Sequence, residues 1–165
     1  LTFWIIESII IDNQKFLNML SKNFTECIRN SIGTRMFRNF YVNGIDVLEN
    51  GNLSCAYYVT SIMHIFKLID RPHFMVDGTI FAMEKAGWYK IDHTKNGCVV
   101  VWNPIVQNGK SHLHIGFYVG DGQAVSNRSS LGHVGEHALH YPGLDKEDNT
   151  QQATIHSLYW HKDLE

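Results

Sequence analysis

The chain has 165 residues, 44 % of them apolar, which is long enough to bury a core as one domain over residues 1–165 and too apolar for intrinsic disorder. Its 14 basic and 16 acidic side chains leave a formal charge of −2, and no Lys/Arg run is interleaved with aromatics, which argues against nucleic acid as a partner. Three cysteines, Cys27, Cys55 and Cys98, form an odd set without a CxxC pair, so neither a disulfide framework nor a cysteine-rich zinc site is expected and at least one thiol should stay free.

The opening Leu-Thr-Phe-Trp-Ile-Ile-Glu-Ser-Ile-Ile-Ile has no initiating Met, basic leader or small-residue cleavage site, so it does not read as an intact signal peptide. Glu7 interrupts it, and no uninterrupted apolar stretch reaches the roughly 18 residues of a membrane span. Asp12 can then cap a helix on which Phe16, Leu20, Phe24, Cys27 and Ile28 recur at spacings of three and four, ending near Gly33. Cys27 lies on that apolar face as a small hydrophobe. From Thr34 to Asn52 the turn pairs Asn43-Gly44 and Asn50-Gly51 predict loops with a short strand.

From Cys55 to about Asp70 the apolar residues run almost all the way round, which predicts a central helix with Ser54 as N-cap and Arg71-Pro72 as its end. A second short helix is expected with Asp77 or Thr79 as cap, Ile80, Phe81 and Met83 facing in, and Gly87 as the stop. Strands are expected at Trp88-Tyr-Lys-Ile, at the β-branched run Cys98 to Trp102 ended by Pro104 and Gly109, and at Ala153 to His161. His112 to Val119 and Gln123 to Asn127 flank Gly-Asp-Gly as a hairpin. Helices first and an antiparallel sheet second make the fold class α+β.

The chemistry centres on Cys55. A cysteine at the first turn of a helix meets unpaired N–H groups and the positive dipole end, both of which favour the thiolate, and a neighbouring imidazolium would favour it further. His114, which opens the strand His-Ile-Gly-Phe-Tyr-Val, is the candidate for that imidazole, and a polar residue on the next strand would orient its ring.

Ser-Cys-Ala-Tyr-Tyr-Val at a helix start, Gly-Cys-Val-Val-Val-Trp as a buried strand and His-Ile-Gly-Phe-Tyr-Val-Gly-Asp-Gly as a hairpin resemble the NlpC-type cell-wall cysteine peptidases, over roughly Asn50 to Asn127. The resemblance implies a papain-like fold, with N-terminal helices packed on a C-terminal antiparallel sheet. It implies Cys55 as nucleophile, His114 as general base and a third member on the strand after the Gly-Asp-Gly turn. Counting from His114 as these peptidases space the pair reaches Ser126, whereas a side-chain amide accepting from the imidazole favours Asn127; Asn127 is the expectation, and a one-residue bulge would reconcile the counts. Ser54 and Gly97-Cys98 stand where the family carries Asp before the nucleophile and Gly-Asp before the buried strand.

The activity so implied is that of a cysteine hydrolase cutting an amide bond in peptidoglycan peptides through an acyl-enzyme. It needs no cofactor, and its place is outside the cell or in the envelope if the cell-wall substrate holds. The same triad serves an acyltransferase or a deacylase, and a binding or inhibitory module could keep the fold with a lapsed site. Oligomeric state and export are left open. Finally, His112 with His114 forms His-x-His, and His133, Glu136, His137 and His140 follow in one stretch. Imidazoles at such spacings can bind zinc, but a solvated histidine-rich loop is the favoured expectation.

Overall fold

A computed structural model describes the main chain of residues 2–107, 110–140 and 154–165, and the side chains of 15–104, 112–140 and 154–165. Helix α1 (Thr2–Asn30) leads to a small hairpin of β1 (Tyr41–Val42) and β2 (Ile45–Asp46), followed by α2 (Cys55–Ile65) and α3 (Val76–Ala86). The remaining strands are β3 (Trp88–Ile91), β4 (Val99–Gln107), β5 (Lys110–Gly120), β6 (Gln123–Arg128), β7 (His133–Ala138) and β8 (Ile155–His161). They form one six-stranded sheet in the order β3-β8-β4-β5-β6-β7, with all neighbours antiparallel. The fold is therefore α+β. No helix among the described residues is long and apolar enough to cross a membrane.

β4 is paired along both edges, by β8 and β5, and Val99, Val100, Val101 and Trp102, which alternate between its two faces, are all fully buried, so both faces are covered. That is why the run reads as continuously apolar rather than alternating. Phe24 of α1 packs edge-on against Phe117 of β5 and Phe66 after α2, while Tyr58 of α2 also meets the Phe117 ring edge-on. The Tyr58 hydroxyl shares a hydrogen bond with Ser31 Oγ at 2.9 Å, which in turn donates to the Ile28 carbonyl, so the one polar atom carried into this aromatic cluster is satisfied.

Several boundaries differ from those expected, each for a local reason. α1 begins ten residues before Asp12, which lies inside it instead of capping it; no Gly or Pro occurs between Thr2 and Asn30 to stop a helix. Leu20, Phe24, Cys27 and Ile28 do face the core, but Phe16 is exposed. α2 stops at Ile65 rather than near Asp70, because Lys67 takes a left-handed conformation (φ 58°) and the Leu68 and Lys67 N–H groups fold back onto the Met63 and His64 carbonyls. This is a Schellman-type ending with lysine where glycine is usual.

Met75, and neither Asp77 nor Thr79, holds the cap position of α3; Thr79 instead donates its hydroxyl to the Met75 carbonyl. Phe81 is exposed under Lys85 rather than facing in, whereas Gly87 ends the helix at φ 104° as expected. β4 continues past Pro104 to Gln107 through an irregularity between Trp102 and Ile105, which is how a proline is accommodated in the strand. Gly109 and Ala153 lie outside the described residues. The largest departure is β7, a regular strand where a solvated histidine loop was expected.

Candidate active site

Cys55 is the first residue of α2, and the loop that delivers it is assembled around one carboxylate. Asp46 accepts from the N–H groups of Phe40 (3.0 Å), Leu48 (3.1 Å) and Asn50 (2.8 Å) and from the Asn39 side-chain amide (2.6 Å). These donors hold its carboxyl down at about 2, the Asn50 N–H contributing most. Glu49, Asn50 and Gly51 then run through three successive positive φ values, 51°, 57° and 94°, to reverse the chain toward α2. At Gly51 the freedom is needed twice, since a Cβ there would also lie 3.1 Å from the Gly132 main chain in the β6–β7 turn.

The loop is fastened to the sheet by Asn127, whose buried side-chain amide donates to the Gly51 carbonyl at 2.7 Å. That bond corrects the expectation for Asn127. Its amide positions the approach to Cys55, and the residue at the His114 ring is Ser126, with Oγ 2.9 Å from Nε2. Adjacent strand residues project to opposite faces, so only one of the two could reach the ring. The irregularity in the β5–β6 pairing between Tyr118 and Gly120 decides which.

The backbone N–H groups of Ile115, Ala56 and Cys55 itself lie near the Cys55 sulfur and favour its anion. The nearness of the Ile115 N–H sets the sulfur beside β5, at the residue next to His114. Ile115 is registered with Val101 on β4 and lies outside the registered β5–β6 pairs, which begin at Phe117 with Val125. Ser54, expected to cap α2, occupies the cap position through its carbonyl, which accepts the Tyr58 N–H at 2.9 Å. Its hydroxyl makes no cap bond and is buried without a hydrogen-bond partner among the described residues.

His114 lies beside Trp102, its registered partner on β4, with ring centroids 5.3 Å apart. Ser126 Oγ also meets His137 Nε2 at 2.8 Å, and His137 Nδ1 donates to the Ala138 carbonyl at 2.9 Å. Trp102 packs against the His137 ring too, at 5.5 Å, and is itself anchored by its indole N–H to the Leu139 carbonyl. Sequence reasoning missed His137 and Trp102 as parts of one cluster. The period-two spacing of His133, Gly135 and His137 was the available signal for a strand. Among the described residues no group of three or more His, Cys, Asp or Glu side chains is arranged to hold a metal ion.

Burial outweighs the helix start in setting the protonation states. Desolvation raises the Cys55 thiol despite the three N–H groups near it, and it drives His114 down to about 3, helped by the charges of His137 and Arg128. The resting pair is thus a thiol and a neutral imidazole, not the thiolate and imidazolium expected from the helix dipole. His137 and His161 are likewise lowered, burial being the largest cause in each.

These shifts predict an acid-sensitive fold. Each histidine titrates near 6.5 when unfolded, so below that pH the unfolded chain takes up protons the folded chain excludes. Stability should be whole above about pH 6.5 and fall, as pH drops, by about 1.4 kcal/mol per pH unit for each imidazole kept neutral. Asp46 adds its own loss only below its ordinary 3.8. Thermal melts followed by circular dichroism from about pH 8 to pH 4 check this; a melting temperature that stays level across that span contradicts it.

The chain matches no family model and no curated protein sequence.

Proposed function

We propose that the protein is a papain-like cysteine hydrolase of the NlpC type, cutting an amide bond in a cell-wall peptide. The observation that carries the reading is Cys55 at the start of α2 with the Ile115 N–H beside its sulfur, one residue along β5 from a neutral, partnered His114. A neutral imidazole can accept the thiol proton as the sulfur attacks, so no preformed ion pair is required.

In the first step the Cys55 sulfur bonds to the substrate carbonyl carbon, the carbonyl electrons move to oxygen and His114 takes the thiol proton. The Cys55 and Ala56 N–H groups, at a helix start where no carbonyl of the helix claims them, are suited to hold that oxyanion. Collapse breaks the C–N bond, and the departing amine takes the proton from His114. Water, deprotonated by His114, then releases the acyl group from the thioester and the thiol is restored. An acyltransferase or deacylase would share every step but the acceptor or the leaving group.

Incubation with peptidoglycan stem peptides, followed by acid quench and mass spectrometry, tests the reading. New primary amines and an acyl adduct mapped to the Cys55 peptide are expected. A product joined to an added amine would assign acyl transfer, and neither amine nor adduct would favour a binding module.

A further inference from the structure

We infer that Ser126 and His137 form a positioning relay, anchored on the Ala138 carbonyl, that fixes His114 in the tautomer with its proton on Nε2 and its lone pair on Nδ1. The inference follows from counting hydrogens along three contacts. A carbonyl oxygen has no proton to give, so at the 2.9 Å contact His137 Nδ1 is the donor. In a neutral imidazole the other nitrogen is then an acceptor, which makes the Ser126 hydroxyl the donor to His137 Nε2 across 2.8 Å. That hydroxyl has one hydrogen, now used. Toward His114, Ser126 Oγ can only accept, so the 2.9 Å contact requires a proton on His114 Nε2 and leaves Nδ1 as the basic nitrogen.

The opposite tautomer of His114 would set its Nε2 lone pair against those of the Ser126 oxygen, which is fully buried. The Ser126 oxygen cannot turn to water for a substitute partner, and His137, 8 % exposed, is nearly as enclosed. The Trp102 ring, packed against both imidazoles, limits their rotation. The neutral state that the counting assumes agrees with the burial of the two rings, and the nearby Arg128 opposes a proton on either. Ser126 and His137 are positioning residues in this scheme. They hold a proton at a stated atom and touch no reacting bond.

The relay rests on the proposed function only for its purpose, since the tautomer exists without substrate. Long-range proton–nitrogen correlation spectra of the ¹⁵N-labelled full chain near neutral pH read it directly. The wild type is expected to show His114 protonated at Nε2 and His137 at Nδ1. In His137→Phe the serine hydroxyl loses its acceptor and can turn to donate to His114, so an Nδ1–H population should appear at His114. His137→Gln, whose side-chain oxygen can accept from Ser126, should restore the Nε2–H form. If the protein hydrolyses amides, kcat should fall by about tenfold or more in the Phe variant with KM little changed, and recover in the Gln variant.

An Nδ1–H tautomer at His114 in the wild type overturns the relay even if neither variant folds. So does a His114 signal unchanged in a folded His137→Phe. An Nε2–H tautomer in a protein without hydrolytic activity upholds the relay and removes the function, whereas hydrolysis with the Nδ1–H tautomer does the reverse.

Discussion

Cys55→Ala is expected to lower amide hydrolysis by about 10³-fold or more while the variant melts close to the wild type, because it removes the one atom that bonds to substrate and little else. The loop in front of Cys55 is held by Asp46, by the Asn127 bond to Gly51 and by the close approach of Gly51 to Gly132, none of which involves the thiol. Cys55→Ser should be nearly as inactive, since a hydroxyl is far harder to deprotonate than a thiol and His114 is held as a weak base. Product release by chromatography and thermal melts on the same samples separate lost chemistry from lost folding. Should Cys55→Ala keep more than about a tenth of the rate, another group is the nucleophile.

Gly116→Ala should damage both folding and activity. Glycine is required at this position by space rather than by dihedral angle: a Cβ would stand 2.7 Å from the Val125 carbonyl oxygen, 2.9 Å from Ser126 Cβ and 3.1 Å from Trp102 Cη2. The first neighbour is main chain and the third is a fully buried indole, so neither gives way cheaply. A loss of about 1–3 kcal/mol in stability is expected, as for other overpacked interiors. Ser126 Cβ can move only with the β6 main chain, and moving it opens the bond to His114. Activity should therefore fall by about 10- to 100-fold even in the folded fraction, a penalty typical of small misplacements at a site. A variant with wild-type melting and turnover would show that this packing does not support the site.

What could be read from the chain was what local pattern controls. Cys55 at the start of an apolar helix, the buried run from Val99 to Trp102 and the hairpin around Gly-Asp-Gly all announce themselves within a dozen residues. α2 is shorter than its apolar run because its stop is a left-handed lysine, and Lys67 looks like any surface residue until its dihedral angle is known. The choice between Ser126 and Asn127 turned on a strand irregularity eight residues away, where a single shift exchanges the two faces. The spacing of the histidines after Arg128 fits metal ligands or a solvated loop when read locally. Their actual setting is a strand paired to β6, and that long-range pairing puts His137 within reach of Ser126. Neutral Cys55 and His114 were hidden for the same reason, since burial by distant segments set both.

The Asp46 cluster also bears on the order in which the molecule can be put together. Its four donors lie within seven residues of the carboxylate, so closing this ring costs little chain entropy. The sheet is the opposite case: β8, last in the chain, must insert between β3 and β4, and β3 is more than sixty residues upstream. The turn that aims Cys55 can thus take its final shape as a local event, ahead of the slow non-local pairing that brings His114, Ser126 and His137 together. The two assemblies meet at the Asn127 to Gly51 hydrogen bond, the point at which an independently formed nucleophile loop is registered against the finished sheet.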